Sequence, residues 1–126
     1  MFGLQYCAQH SNVIYMVAEE IIASHRQELK RGTAALASLS LLAAEADYGY
    51  NLIGRLAEVG IEIEANTLYP LLRRLEKQGL LTSDWDTTEA RPRKFYSTSE
   101  DGISLIEILR KDWDAMTTVI TAIGGK

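Results

Sequence analysis

One segment, Asn66 to Gly79, constrains the fold of this chain more than any other. Leu68, Leu71, Leu72 and Leu75 recur there at the i, i+3, i+4, i+7 spacing. At about 100° per residue these positions line one side of a helix, and such a stripe leaves water only by packing on a core. Gly79 closes the pattern and supplies a helix stop. Asn66, Pro70, Arg73 and Lys77 fall opposite the leucines, flanked by Tyr69 and Arg74. Burying the apolar side therefore turns three cations outward. Pro70 reads either as a first-turn proline or as the site of a slight bend.

The rest of the chain supplies that core. Residues 12–30 read as a helix with Ile14, Val17, Ile21, Ile22, His25 and Leu29 on its apolar side and Ser11 or Asn12 as cap. From Thr33 to Ala44 leucine and alanine run nearly all the way round, which predicts a buried helix. Asp47 reads as the N-cap of a third helix, Tyr48 to Val59, whose inner face is Leu52, Ile53, Leu56 and Val59 and whose stop is Gly60. Ile61-Glu62-Ile63 alternates like a short strand or an extended connector. Leu80 to Asp86 and Lys94 to Thr98 pair as a hairpin around the polar loop Thr87 to Pro92. A last helix starts at Thr98 or Ser99, with Glu100 and Asp101 at its positive end. Along it Ile106, Leu109, Trp113, Met116, Ile120 and Ile123 alternate in steps of three and four, a heptad seam that asks for a partner.

The order is helix, helix, helix, helix, strand, strand, helix. The expected fold is mainly α with a small β-hairpin (α+β), a winged helix-turn-helix with terminal dimerisation helices. Residues 1–30 form the N-terminal extension and helix, 31–98 the winged unit, and 99–126 the C-terminal dimerisation helix. Tyr48, Tyr50, Trp85 and Phe95 read as ordinary core and sheet packing.

The function follows from where charge collects. A net charge of -4 and a pI near 5.2 argue against nucleic-acid binding when taken alone. Phosphates respond to local potential, however, because screening confines interactions to roughly 8–10 Å. Arg73, Arg74 and Lys77 cluster on one helix with Asn66, Thr67 and Tyr69, and Arg91, Arg93 and Lys94 cluster at the hairpin tip and second strand. These nine residues are the candidate contacts to double-stranded DNA, the helix reading base edges and the hairpin holding flanking backbone. Two alternatives stay open: a solvated basic face, or a winged-helix module that binds another protein and never DNA.

Other classes find little support. Cys7 is the single cysteine, which excludes an intramolecular disulfide, and His10 and His25 lack partners at metal-ligand spacing. Glu62 with Glu64 and Asp84 with Asp86 do not make a catalytic carboxylate pair, and no phosphate loop or nucleophile motif occurs. No enzyme, metal or cofactor is expected. No apolar run approaches the ~18 residues of a membrane span, and residues 1–9 lack a basic signal-peptide start, so the expected location is cytoplasmic, on the nucleoid.

Three stretches together resemble the PadR family of bacterial transcriptional regulators: Tyr48-Gly-Tyr50, the run from Asn66-Thr-Leu-Tyr-Pro-Leu-Leu-Arg-Arg-Leu-Glu to Trp85, and Arg91-Pro-Arg-Lys-Phe-Tyr96. The resemblance covers roughly Glu28 to Met116. It implies a winged-helix homodimer that represses by occupying a pseudo-palindromic operator, with Asn66 to Gln78 as recognition helix and Thr87 to Lys94 as wing. The implied dimer interface takes Ile21, Ile106, Leu109, Trp113, Met116, Ile120 and Ile123. It further implies a cavity there, in which Trp113 would stack on a flat hydrophobic effector between Leu109 and Met116; the alternative is that Trp113 only fills the interface. Departures from the family pattern are a wing with Glu89 and Arg91 where glycines are common, Ser97-Thr98-Ser99 where many relatives carry a basic residue before the last helix, and a long segment before Glu28, in which Met16 is a second candidate start.

Overall fold

The computed structural model describes residues 16–125, which divide into two compact units that part between Gly32 and Thr33. The first unit contains α1 (Glu19–Arg31). Glu19 and Glu20 stand in its first turn and Lys30 and Arg31 in its last, each sign against the favourable end of the helix dipole. This charge order sets the start at Glu19, later than the apolar pattern alone predicts. Val17, Ile21, Ile22, His25 and Leu29 line one shallow apolar groove along α1. The expected cap at Ser11 or Asn12, together with Cys7, His10 and Ile14, lies outside the described residues.

The second unit runs α2 (Ala34–Ala44), β1 (Asp47–Tyr48), α3 (Gly49–Glu58), α4 (Ala65–Lys77), β2 (Leu81–Asp86), β3 (Arg93–Thr98) and α5 (Glu100–Ile123). Its core is built from leucine: Leu39 and Leu42 of α2, Leu52 and Leu56 of α3, the α4 stripe, and Leu81, joined by Tyr96 and Ile106. The three strands form one antiparallel sheet in the order β1-β3-β2. Both turns around α4 use glycine where the backbone demands it, Gly60 at φ 88° and Gly79 at φ 80°.

Several expectations change. Asp47 does not cap α3; the N-cap is Tyr48, and Asp47 sits in a two-residue strand opposite Tyr96. Its carboxylate is committed instead to Arg55 at 3.1 Å and to the Asn51 amide at 3.1 Å. Arg55 also donates to the carbonyls of Leu41 (2.7 Å) and Glu45 (3.0 Å), tying the end of α2 to the start of the sheet. Val59 is exposed because α3 ends at Glu58 before the turn brings its side chain inward. Ile61 and Ile63 belong to an extended connector rather than a strand, half-buried against the core.

The aromatic residues also redistribute. Tyr96 is the core aromatic of β3, whereas Phe95, its neighbour on the opposite face, is 36% exposed. Tyr50 and Trp85, expected in the core, are 76% and 63% exposed. Trp85 lies opposite Lys94 next to the loop that closes the hairpin, past the last leucine that could cover it.

Ser99 caps α5, accepting from the Gly102 amide at 3.1 Å and donating to the Gly79 carbonyl at 2.6 Å. The first turns of α5 pack on α2 and β3, which takes Ile106 out of the expected dimer seam and into the chain's own core. Beyond it Leu109 is half-buried, and Trp113, Met116, Ile120 and Ile123 face solvent. Among the described residues no helix is long and apolar enough to cross a membrane.

Candidate nucleic-acid interface

Helix α4 is held by its stripe. Leu68 and Leu72 are fully buried, Leu75 and Leu71 nearly so, and each contributes about 2 kcal/mol of hydrophobic free energy. Because the stripe fixes the rotation of the helix, Asn66, Thr67, Pro70, Arg73, Arg74 and Lys77 all emerge on the exposed side. Pro70 lies in the second turn rather than the first. Its missing N–H leaves the Asn66 carbonyl without the usual i to i−4 bond. Tyr69 is half-buried, its ring laid across Gly49, where a Cβ would stand 2.6 Å from Cε1. A side chain at position 49 would have to push the Tyr69 ring aside.

The wing is clasped to this helix. Lys94 Nζ donates to Glu76 Oε1 at 3.1 Å, and Ser83 Oγ donates to Glu76 Oε2 at 2.6 Å. The Ser83 hydroxyl, then the Lys94 ammonium, hold the Glu76 carboxyl below its ordinary pKa. One carboxylate of α4 thus bridges β2 and β3 and fixes the angle between α4 and the wing. Arg93 lies 3.9 Å over the Tyr48 ring and 3.8 Å from Glu89. Arg91 projects from the loop, exposed.

The base of the wing has its own anchor. The Tyr48 hydroxyl donates to Asp86, which also accepts from the Thr88 amide (3.0 Å) and hydroxyl (2.8 Å). With the Tyr48 bond as the largest cause, the Asp86 carboxyl is lowered to about 2. A carboxyl whose folded pKa lies below its unfolded value stabilises the fold above the unfolded pKa and loses that contribution as pH falls toward the folded one. The wing base should therefore loosen between pH ~4 and ~2. An NMR titration of the Asp86 carboxyl should give a midpoint near 2 that Tyr48→Phe moves back toward the ordinary aspartate value.

Between α4 and the wing runs a groove of about 350 Å³ whose walls include Tyr50, Tyr69, Arg73, Trp85, Arg93 and Lys94. The sequence points to the cations of this wall but not to Tyr50, Trp85 or the Glu76–Ser83–Lys94 clasp. The only signal available for the clasp was an acid on an otherwise basic helix.

Comparison with known proteins gives a consistent result. Residues 39–107, more than half of the chain, match the family model described as the transcriptional regulator PadR-like family. A PadR family transcriptional regulator from Eggerthella lenta is similar in structure, with a TM-score of 0.82 and 42% identity over 86% of this chain and 96% of that one. A transcriptional regulator from Clostridium thermocellum superposes at a TM-score of 0.70 with 28% identity, covering 75% of this chain and 96% of the other. The transcriptional regulator Rv3488 of Mycobacterium tuberculosis is 33% identical over 76 residues, 60% of this chain and 71% of its own length. With its leucine-mounted basic helix, its clasped wing and these relatives, the chain belongs to the PadR-like family of transcriptional regulators.

Proposed function

We propose that the protein is a homodimeric DNA-binding repressor of transcription that occupies a pseudo-palindromic operator. The observation that carries this reading is the outward face of α4, where Asn66, Thr67, Arg73, Arg74 and Lys77 stand exposed above four buried leucines, beside a wing that offers Arg91. Tyr69, Arg93 and Lys94 join the contact set from the groove walls, already engaged within the chain as described. A helix of this diameter enters the major groove, where arginine reads guanine and asparagine reads adenine.

A single copy covers one half-site, and α5 supports pairing. Trp113, Met116, Ile120 and Ile123 form a run of apolar side chains on it that a second copy would cover, and Ile21 on α1 is exposed in the same sense. Two-fold pairing sets two recognition helices about one DNA turn apart, roughly 34 Å. A flat hydrophobic effector between Leu109, Trp113 and Met116 of paired copies would release the operator by shifting that spacing.

The test is a titration of Arg73→Ala combined with Arg74→Ala against the wild type on operator DNA. Each arginine that reads a base is worth about 1–3 kcal/mol, so the pair should weaken binding on the order of a hundredfold. Wild-type binding should also fall steeply between ~50 mM and ~200 mM salt. Unchanged affinity in the double variant would refute the assignment of α4.

A further inference from the structure

Two large aromatic side chains stand in water on the face that carries the cations. Trp85 is 63% exposed at the loop end of β2, and Tyr50 is 76% exposed in the first turn of α3. They come from distant parts of the sequence yet wall the same groove, with Arg73 from α4 and Arg93 from β3. Neither supports the core, which Tyr96 serves instead. Exposed aromatic surface gathered in one concave place marks a contact with another molecule.

The occupant follows from the shape of the duplex. A recognition helix in the major groove and a wing reaching the adjacent minor groove are separated by the one sugar–phosphate strand that divides those grooves. That strand has to pass between α4 and the wing, where this groove lies. Its chemistry alternates an apolar deoxyribose face with an anionic phosphate, and the walls alternate in kind: aromatic Tyr50 and Trp85, cationic Arg73 and Arg93.

Two nearby carboxylates are balanced by wing cations, Glu76 by Lys94 and Glu89 by Arg93 at 3.8 Å, while Asp86 keeps its charge under hydrogen bonds from Tyr48 and Thr88. Arg73 makes no salt bridge among the described residues, which leaves its guanidinium for an incoming phosphate. We propose that the groove between α4 and the wing seats one strand of the DNA backbone, with Trp85 and Tyr50 packing on deoxyribose and Arg73 on the adjoining phosphate. This rests on the DNA-binding reading above and adds to it two contact residues and the path of the strand.

The probe is a mixed-sequence duplex of about two helical turns at low salt, followed by anisotropy and by tryptophan emission of the full chain. The chain has two tryptophans, Trp85 and Trp113. Duplex should change the emission of the wild type with the same midpoint as complex formation, and Trp85→Phe, taken to duplex concentrations that saturate it, should show no such change. Trp85→Ala and Tyr50→Ala should each weaken binding about tenfold, the loss that follows when ~50 Å² of apolar surface is no longer covered. Both sites are exposed, so these variants should fold with wild-type circular dichroism. A complex that forms with emission unchanged, and with both alanine variants within twofold of wild type, would overturn the seat and leave α4 as the DNA-contacting element. Failure of any duplex to bind at low salt would overturn the DNA-binding reading itself, and the seat with it.

Discussion

Gly102→Ala is expected to destabilise the second unit by about 3 kcal/mol, within the upper range for overpacking a closed site. Gly102 lies in the first turn of α5, and a Cβ there would stand 2.4 Å from the Leu80 carbonyl oxygen and 2.5 Å from Thr98 Cγ2. The nearer atom belongs to the backbone and cannot swing aside. That same carbonyl accepts from the Ser99 amide at 3.0 Å, and the Ser99 hydroxyl in turn bonds the Gly79 carbonyl and the Gly102 amide. A methyl group at 102 must therefore displace either the cap of α5 or the entry to β2. For a unit of this size the midpoint of thermal unfolding should fall by roughly 10 °C or more. Gly54→Ala is the internal control. It lies within α3 with nothing inside 4 Å of its would-be Cβ, and there alanine should raise stability by about 0.5–1 kcal/mol. Equal effects at the two glycines would show that helix propensity, and not the close approach at Leu80, governs position 102.

Leu72→Ala should cost a similar amount, about 2–5 kcal/mol, because Leu72 is fully buried and its removal leaves a cavity among neighbours that relax only in part. Its Cδ1 is 3.3 Å from the position of a Cβ at Gly49, so the vacated space lies at the α3–α4 junction, beneath Tyr69. Leu72→Met, which keeps the volume, should cost less than about 1.5 kcal/mol. Chemical denaturation of the two variants separates the readings. A loss below ~1 kcal/mol in the alanine variant would mean that α4 is not anchored by its leucines.

The parts of the fold that were legible in the sequence are those that repeat. The α4 stripe and the hairpin state a period and a stop, so their residues settle where the pattern puts them. β1 was not legible because two residues cannot show an alternation, and Asp47 offered a helix cap as a competing use until Tyr96 and Arg55 claimed it. For β3, alternation requires that one of Phe95 and Tyr96 face inward but does not say which; the register against β2 and the position of α4 decide it. Ile106 belongs to the heptad by spacing, yet spacing does not say whose core covers each rung, and α2 reaches it first. In the candidate interface, the cations of α4 were legible because their exposure follows from the leucines beneath them. The engagement of Lys94 was not, since Glu76 lies 18 residues away and meets it only after the hairpin folds back.

Helix α5 has a mechanical consequence. It is one unbroken element of 24 residues, about 36 Å long, whose first turns are cemented into the leucine core while its far half stands clear. Such a rod behaves as a lever with its fulcrum at Ile106. A tilt of ~5° about Ile106 sweeps the free end, about 25 Å away, through about 2 Å and applies torque at Gly102 and Leu80, the junction from which β2 sets out toward the wing.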